Sequence, residues 1–287
     1  MPETIRQVLF RATEILKKHG TDTPELDAQA LLCHCLSVPR AFLFTHPEHV
    51  LTPDQARLFD ALVQRRNDRE PVAYITGEKE FWSRSFACNR STLVPRPETE
   101  LIIETALAWF QDSSIRPAHI LDLGTGTGCI GITFALEFPG AHVVLTDKSL
   151  AALRVARVNV LRMLKNQNMA CLLCADWFDA FAETARFDLI AANPPYISPA
   201  DKSMLPQDVV RFEPDLALFD RNDGYAAIRT IFSKAWKHLS SGGLVICETG
   251  WDQASNTVDF VIATGRYSRV FVRKDLSGHE RIVAATV

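Results

Sequence analysis

Apolar residues follow the period of an α-helix through the first part of the chain. The segment TIRQVLFRATEILKKHG, residues 4–20, carries them at helical spacing and ends at Gly20, a typical stop. Two more helices are predicted where a threonine precedes a proline, at Thr23 and at Thr52, because a threonine cap followed by a first-turn proline is a common helix start. The pattern predicts an all-helical N-terminal domain over residues 1–73.

The pattern changes over residues 74–94, where aromatic residues and short strand-like runs replace the helical period. The stretch YITGEKEFWSRSFACNRSTL predicts a β-hairpin linker, with strand-like runs around Ser83 and Arg84. The following VPRPETELIIETALAWF predicts a helix, because Pro97 suits a first turn and nearby carboxylates favour the N-terminal end of the helix dipole.

From His119 onwards, short apolar runs alternate with amphipathic segments. The runs HILDL, HVVLTD, ACLLCAD, FDLIAA and GGLVICET predict strands, and the segments between them include several predicted helices. This alternation is typical of a doubly wound, mostly parallel sheet that is covered on both faces. The last two runs, YSRVFVRKD and HERIVAATV, predict an antiparallel terminal hairpin. We therefore predict an α/β domain over residues 95–287.

Composition narrows the class of protein. Hydrophobic residues make up 47% and charged residues 23% of the 287 residues, which is ordinary for a globular protein with a sizeable core. The formal net charge of -3 lacks the basic excess typical of nucleic-acid binders. The N-terminal segment lacks the pattern of a signal peptide, and no run approaches the about 18 apolar residues of a membrane span. We expect a soluble, reduced and cytoplasmic protein that binds neither nucleic acid directly nor a membrane.

Seven cysteines are spread along the chain without the spacing of a disulfide framework. Cys171 and Cys174 form a CxxC pair, but no second pair completes a zinc site. Because the pair lies in an apolar stretch, we predict that both are small buried side chains. We predict no metal.

A glycine-rich loop, LDLGTGTGCI, follows the first predicted strand of the α/β domain. Gly124, Gly126 and Gly128 permit positive φ and close approach of a ligand, and the helix that follows offers N–H groups. A tight turn would need fewer glycines. The dinucleotide fingerprint would place its third glycine where this chain has Cys129. With Asp147 at the end of the next strand, placed to hold ribose hydroxyls, the loop resembles the S-adenosylmethionine (SAM) loop of class I methyltransferases.

The fourth strand of this domain ends in Asn193, Pro194, Pro195 and Tyr196. Proline fixes its own φ and restricts the residue before it, so this segment is stiff and offers oxygens without competing donors. The Asn193 side-chain oxygen and the Pro194 main-chain oxygen can each accept one hydrogen of a planar –NH2 group, and Tyr196 can cover its flat face. The alternative is a plain proline-rich turn. At the carboxyl edge of a sheet that carries a SAM-type loop, the segment predicts methyl transfer to an amino nitrogen.

Six motifs occur in order along nearly the whole chain: VPRPETE, LDLGTGTG, DWF, NPPYI, VVRFEPDLALFD and GHERIV. Together with the helical N-terminal region, they resemble the release factor glutamine methyltransferase family. The resemblance implies a class I SAM-dependent methyltransferase that methylates the side-chain nitrogen of the glutamine in the GGQ motif of bacterial peptide chain release factors. It also implies that SAM becomes S-adenosylhomocysteine and that no metal takes part.

The resemblance further implies a role for each motif residue. It implies that the cofactor is bound by Gly124, Thr125, Gly126, Thr127, Gly128, Asp147, Trp177 and Asn193. Asp147 would hold the ribose, Trp177 would contact the adenine side, and Asn193 would bridge cofactor and substrate. The catalytic and glutamine-binding residues would be Asn193, Pro194, Pro195 and Tyr196. The helical domain would dock the release factor.

Three alternatives stay open at this stage. A sister family methylates a ribosomal-protein glutamine and shares NPPY, although VPRPETE resembles the release-factor branch better. A DNA-adenine or rRNA-guanine amino-methyltransferase would be expected to bring a basic recognition domain, which the net charge of -3 disfavours. A non-catalytic SAM-sensing scaffold would differ from both in transferring no methyl group.

Overall fold

The computed structural model describes residues 3–112, 116–166, 169–221 and 223–287. It divides into two compact units. One unit runs to Glu78 and also contains Pro206–Phe212, and the other contains Lys79–Leu205 and Glu213–Val287. The chain therefore leaves the second unit after Leu205 and returns to it at Glu213. Sequence periodicity gave no sign of this excursion, and the predicted division at residues 73 and 94 stays a prediction.

The first unit is helical. Its helices are α1 Ile5–Lys18, α2 Pro24–Leu36, α3 Arg40–Thr45, α4 Pro53–Asn67 and α5 Val72–Thr76, and the later helix Gln207–Phe212 is α9 in chain order. Thr4 and Thr52 cap α1 and α4 in full capping boxes, each with a glutamine three residues on. Thr23 makes no side-chain cap and donates its hydroxyl to Asp27 instead, at 2.9 Å. The predicted start of α2 at Thr23 and Pro24 is nevertheless correct.

A hairpin follows the first five helices, formed by β1 Glu78–Phe81 and β2 Arg84–Ala87. Its turn residues, Trp82 and Ser83, both have positive φ, which matches the twist of a tight hairpin. The Trp82 main-chain N–H donates to Glu100 at 2.7 Å, and its indole N–H donates to Glu137 at 3.0 Å. These anchors explain how a bulky residue occupies a conformation that usually favours glycine or asparagine.

The second unit contains a seven-stranded sheet in the order β5-β4-β3-β6-β7-β9-β8. Its strands are β3 His119–Leu123, β4 His142–Asp147, β5 Ala170–Cys174, β6 Phe187–Ala192, β7 Leu239–Glu248, β8 Arg269–Lys274 and β9 Glu280–Thr286. The first five are parallel, while β9 pairs antiparallel with both β7 and β8. The predicted α/β class, with a mostly parallel sheet and an antiparallel terminal hairpin, is confirmed.

Helices cover both faces of this sheet. They are α6 Glu100–Asp112, α7 Cys129–Glu137, α8 Leu150–Met163, α10 Asp215–Leu218, α11 Ala226–His238 and α12 Ala254–Ala263. Side chains of α6, α7 and α8 form one buried cluster with alternate strand residues such as Ile120. Side chains of α11 and α12 form the opposite cluster with the intervening residues such as Leu121. Successive side chains of β3 point to opposite faces of the sheet, so this one strand contributes to both buried clusters.

The prediction that Cys171 and Cys174 are buried is wrong, since both are exposed. They lie on β5, which is the edge strand of the sheet and is only partly covered. An apolar run alone does not reveal whether a strand is central or at an edge.

Parallel register brings three strand ends to one edge of the sheet. Leu123 lies beside Thr146 of β4 and beside Ala192 of β6. The glycine loop, the residues after Asp147 and the NPPY segment therefore start next to one another, although about seventy residues separate the first from the last.

Candidate active site

A cavity of about 450 Å³ opens at this edge of the sheet, within the second unit. Most of the predicted site residues line it, namely Gly124, Thr125, Gly126, Thr127, Asp147, Trp177, Asn193 and Pro195. Gly128, Pro194 and Tyr196 are not among the lining residues. The structure thus brings a glycine loop, an acid, an indole and a carboxamide to one cavity.

The glycine loop shapes the wall of the cavity, and several of its main-chain N–H groups are bonded within the protein. All three glycines have positive φ. The N–H of Thr125 donates to Thr146 O at 2.8 Å, that of Gly126 to Asp147 Oδ2 at 2.9 Å, and that of Gly128 to Thr125 O at 2.8 Å. These three N–H groups are used to fold the loop. The expectation that the helix after the loop offers N–H groups to a ligand stays a prediction.

Gly128 has a packing role. A Cβ at this position would lie 2.8 Å from Cδ1 of Ile132 and 3.4 Å from Cβ of Ala156. The third glycine therefore lets the start of α7 pack closely against its surroundings, which explains why it does not line the cavity.

Asp122, a buried residue of β3, fixes the glycine loop and the start of α7 through hydrogen bonds. Its Oδ2 accepts the hydroxyl of Thr125 and the N–H of Gly131, the latter at 2.9 Å. Burial raises the pKa of Asp122 to about 7 against the effect of these two hydrogen bonds. The sequence signal for this residue is an acid inside an apolar strand just before the glycines, because a buried carboxyl needs local donors.

Asp147 faces the cavity from the end of β4. Its Oδ1 accepts the N–H of Ser149 at 2.8 Å and its Oδ2 accepts the N–H of Gly126 at 2.9 Å. Burial raises the pKa of this carboxyl as well. Because each carboxylate oxygen has about two acceptor sites, Asp147 can still accept hydroxyl groups from a ligand.

An aromatic side chain stands over the first glycine. Trp177 has a φ of 53°, and a Cβ on Gly124 would lie 3.7 Å from its ring. At the rim, Lys148 and Asp176 form an ion pair at 2.7 Å. A flat apolar wall, a carboxylate and a loop with three glycines are the features that an adenosyl group needs, so the residues present fit SAM.

Asn193 is held by a hydrogen bond that the sequence did not suggest. Its Nδ2 donates to Oγ1 of Thr99 at 2.9 Å, and both residues line the cavity. Thr99 is buried in the short 3-10 turn Pro97–Thr99. One of the two N–H groups of the amide is engaged by Thr99, and Oδ1 forms no hydrogen bond with the described residues, so Oδ1 can accept from a ligand.

Glu248, the last residue of β7, is buried. Its Oε1 accepts the hydroxyl of Tyr196 at 3.4 Å. Burial raises the pKa of Glu248 to about 7, while the nearby hydroxyl groups of Thr99 and Tyr196 and the charge of Arg281 act in the opposite direction. Tyr196 points its hydroxyl at this carboxyl, so its role as a cover for an amide stays a prediction.

The backbone after Asn193 is fixed by contacts from distant parts of the chain. Gln253 donates from Nε2 to Tyr196 O at 2.9 Å, and Asp220 donates from its N–H to Ile197 O at 2.9 Å. A Cβ on Gly224 would lie 2.5 Å from Tyr196 O, so only glycine allows this approach. Sequence reasoning missed the roles of all three residues, because they act on main-chain atoms. Gln253 and Gly224 belong to none of the six motifs, and the motif VVRFEPDLALFD, which ends in Asp220, does not show what that residue contacts.

The residues in VPRPETE have separate tasks. Arg96 forms an ion pair with the buried Glu213, whose other carboxylate oxygen accepts the Val94 N–H at 3.2 Å. Glu100 accepts the main-chain N–H of Trp82 at the tip of the hairpin. The motif therefore combines one residue that touches Asn193 with residues that fasten the surrounding loops.

Replacing Glu248 by glutamine is expected to raise the free energy of unfolding at neutral and alkaline pH. A carboxyl whose pKa is raised in the folded state lowers stability once the pH exceeds its unfolded value, and this loss is complete above the folded pKa. Glutamine avoids it. In urea titrations, the free energy of unfolding of the variant relative to that of wild type should rise by about 3 kcal/mol between about pH 4.5 and about pH 8.

The control is Glu104→Gln, which changes an exposed carboxyl of α6 in the same way. Asp122 is present in all three proteins, so its own titration cancels. A stability difference between Glu248→Gln and wild type that stays constant over this pH range would contradict the buried, raised carboxyl.

Among the described residues, no group of three or more His, Cys, Asp or Glu side chains is placed to hold a metal ion. In the same part of the chain, no helix combines the length and apolar character of a membrane span.

The chain is similar to known methyltransferases over most of its length. Residues 7–77 match the family described as the PrmC N-terminal domain, and residues 101–211 match the methyltransferase small domain. The release factor glutamine methyltransferase of Vibrio cholerae is 39% identical over 98% of this chain and 96% of that protein. The enzyme of the same description from Cereibacter sphaeroides is 42% identical over 96% of each chain.

The fold also matches the solved complex of the T. thermophilus 16S rRNA N2 G1207 methyltransferase (RsmC) with AdoMet and guanosine. That structure has a TM-score of 0.51 and 18% identity, and the match covers 73% of this chain but only 49% of that one. This likeness concerns the fold alone. The resemblance inferred from the six sequence motifs is confirmed by the relatives of near-full coverage. The chain belongs to the release factor glutamine methyltransferase family.

Proposed function

We propose that this chain transfers a methyl group from SAM to the side-chain amide nitrogen of the glutamine in the GGQ motif of peptide chain release factors. The observation that carries the proposal is the state of Asn193. Its amide nitrogen is bonded to Thr99 at 2.9 Å, and it lines the same cavity as the glycine loop and Asp147. An acceptor oxygen is thus available beside a pocket suited to an adenosyl group.

SAM, when bound, supplies an electrophilic methyl group on a positively charged sulfur. The chain's own residues would hold it: Asp147 by accepting hydroxyl groups of the ribose, and Trp177 by contact with the adenine side. The loop of Gly124–Gly128 would give the cofactor close access to the backbone, since two of its glycines line the cavity without side chains. Asp122 supports this loop through Thr125 and Gly131.

A glutamine side chain is a poor nucleophile, because the lone pair of its nitrogen is delocalised into the carbonyl group. Oδ1 of Asn193 and the main-chain oxygen of Pro194 would each accept one of its two N–H groups, which fixes the plane of the amide. Each bond stabilises the ground state by only about 0.5–1.5 kcal/mol. Holding the nitrogen in a reactive orientation contributes more, and losing a preorganised transition-state partner typically costs about 10²–10³ in rate.

No strong base is needed at this site. Positive charge that develops on nitrogen during transfer is stabilised by the two oxygen acceptors, and the proton can leave once the nitrogen has become cationic. The neutral side chain of Asn193 suits this task because its orientation, not its charge, sets the reactive geometry.

The choice of substrate is supported by the relatives, whose names specify release factor glutamine. The helical unit would dock the release factor, and exposed aromatic side chains on it, Phe10 and Phe44, are consistent with a protein-binding surface. Because release factors work on cytoplasmic ribosomes, we place the reaction in the cytoplasm.

A labelling experiment tests the substrate directly. Purified protein is incubated with methyl-labelled SAM and either an intact release factor or the same factor with its GGQ glutamine replaced by alanine. We expect label in the first and none in the second. Equal labelling of both would contradict the proposal, and label found only on a ribosomal protein added in parallel would favour the sister family. Binding of SAM without any transfer would indicate a sensing scaffold.

A further inference from the structure

The glycine loop contains a peptide unit that its own sequence leaves free to rotate. Gly126 and Gly128 stand on either side of Thr127, and both have positive φ. A peptide unit beside glycine can rotate at little steric cost, because glycine has no Cβ and populates both signs of φ. Thr127 lines the cavity, so a rotated peptide unit would change the surface that a ligand meets. The loop therefore needs contacts that fix the peptide unit between Thr127 and Gly128.

Two hydrogen bonds hold this peptide unit, one at each of its polar atoms. The N–H of Gly128 donates to Thr125 O at 2.8 Å. The main-chain oxygen of Thr127 accepts from Nδ2 of Asn159 at 2.8 Å. The first bond lies within the loop and moves with it. The second joins the loop to α8, the helix that contains Asn159, and so ties the peptide unit to the packed part of the unit.

The Asn159 side chain is itself held in one orientation. It is completely buried, and it pairs with both main-chain groups of Ala87, the last residue of β2. Its Oδ1 accepts the Ala87 N–H at 2.7 Å, and its Nδ2 donates to the Ala87 oxygen at 3.0 Å. The other N–H of Nδ2 is the one that Thr127 accepts. A flipped amide would face the Ala87 N–H with a donor, so only the observed orientation satisfies all three bonds.

The neighbouring positions on the same face of α8 are small. Ala152 lines the cavity, and Cβ of Ala156 would lie 3.4 Å from a Cβ placed on Gly128. Together with Asn159 they follow the spacing i, i+4 and i+7, which puts the three residues on one face of the helix. This face lies against the glycine loop, and Asn159 is its polar member.

We propose that Asn159 is a positioning residue for the cofactor, which holds the peptide unit between Thr127 and Gly128 in the orientation that admits SAM. The inference rests on the proposed function, since it deepens the cofactor-binding part of it. Among the described residues, Asn159 is not one of those that line the cavity, so it acts through Thr127. The apparent affinity of a ligand falls with the fraction of protein that is competent to bind it. Loss of Asn159 should therefore weaken SAM binding and spare transfer from bound SAM.

Asn159→Leu tests this role, because leucine has nearly the same shape but forms no hydrogen bond. We expect the dissociation constant of SAM, measured by calorimetry, to rise about tenfold, as it would if about a tenth of the molecules kept the competent loop. At saturating SAM, kcat on intact release factor should stay within about twofold of wild type. A merely structural role would instead lower kcat and the calorimetric number of sites together, and would leave the dissociation constant of the folded molecules unchanged.

Val160→Ala is the matched control. Val160 is the next residue of α8, and its side chain is buried in the core cluster. Removing two core methyl groups lowers stability but leaves the bond between Asn159 and Thr127 in place. This variant should lose stability in urea titrations and still bind SAM within twofold of wild type. If it weakened SAM binding as much as Asn159→Leu does, a loosened core would explain both results and the inference would be overturned.

Hydrogen exchange of the wild-type protein tests the link without any substitution, which keeps the inference testable if Asn159→Leu does not fold. The Ala87 N–H exchanges when its bond to Asn159 opens. If this opening also releases Thr127, SAM at a hundred times its dissociation constant should slow the exchange about a hundredfold. The control is the Gly278 N–H, which donates to Asp275 O in the turn after β8 and should exchange equally fast with and without SAM. An Ala87 exchange rate that SAM leaves within twofold would overturn the inference.

Failure of this inference can be told apart from failure of the proposed function. If wild type binds SAM but labels no release factor, the proposed function fails, and the SAM affinities of the variants still decide whether Asn159 holds the loop. If wild type binds no SAM, both fail. A folded Asn159→Leu protein that binds SAM within twofold of wild type overturns the inference even when wild type methylates the release factor.

Discussion

Replacing Asn193 by alanine is expected to lower turnover about a hundredfold or more while leaving SAM binding substantially intact. The loss follows from the removal of one of two acceptors that hold the glutamine nitrogen in its reactive orientation. The adenosyl group should depend mainly on the loop at Gly124–Gly126, Asp147 and Trp177, all of which line the cavity. The measurement is single-turnover methylation of intact release factor, with SAM affinity determined separately by calorimetry.

Asn256→Ala is a suitable control for this prediction, because Asn256 is an exposed asparagine that donates to Tyr225 on the surface. It should keep wild-type turnover. An Asn193→Ala enzyme with wild-type turnover would refute the role assigned to the carboxamide. A loss of turnover that is matched by an equal loss of SAM affinity would assign Asn193 to cofactor binding instead.

Gly224→Ala is expected to have the second-largest effect, on stability as well as on rate. Gly224 has a φ of 81°, and a Cβ there would lie 2.5 Å from the Tyr196 main-chain oxygen and 2.9 Å from Nε2 of Gln253. Gln253 could move, but Tyr196 O is backbone. The clash therefore has to displace the segment after Asn193, or separate it from Gln253, whose Nε2 donates to Tyr196 O at 2.9 Å.

We expect Gly224→Ala to lower the free energy of unfolding by about 2–4 kcal/mol, part of it from the positive φ and part from overpacking. Gly278→Ala is the matched control, because Gly278 has nearly the same φ, 85°, and no atom within 4 Å of an added Cβ. The control should lose only the part of the unfolding free energy that comes from the positive φ, and it should keep its turnover. If both variants lose equal stability in urea titrations and methylate at equal rates, the close approach to Tyr196 has no role in placing the NPPY segment.

Most of the fold follows from features that are local in sequence. Periodicity of 3.6 and of two, together with the threonine–proline starts at Thr23 and Thr52, predicts helices and strands that the structure contains. The order of strands in a doubly wound sheet then brings the residues after Leu123 and Ala192 to one edge. Because these relations depend only on the order of the strands and on where each strand ends, they can be predicted from the sequence.

What could not be predicted depends on contacts between distant residues. Nothing near Asn193 in the sequence indicates that its amide nitrogen is bonded to Thr99, 94 residues away. The approach of Gln253 to Tyr196 is likewise a packing result. The exposure of Cys171 has a similar cause, since a run of apolar residues does not reveal that its strand lies at the sheet edge.

The excursion at Pro206–Phe212 is a further feature that local patterns do not reveal. Within the first unit, Arg211 donates to the Asp68 main-chain oxygen at 3.2 Å, so a short helix far along the chain belongs to the helical unit. The sequence analysis uses part of this segment only as a motif, VVRFEPDLALFD, and the motif does not reveal which unit the segment joins.

The central claim is that two oxygens hold the glutamine nitrogen towards the methyl donor, and a structure of the ternary complex tests it most directly. The protein would be crystallised with S-adenosylhomocysteine and a release factor. We expect the GGQ glutamine nitrogen to lie about 2.7–3.2 Å from both Asn193 Oδ1 and the Pro194 main-chain oxygen. We also expect the adenosyl group to lie against Gly124–Gly126 and Trp177. A complex in which Asn193 is turned away from the sulfur, or in which the nucleoside binds elsewhere, would contradict the central claim.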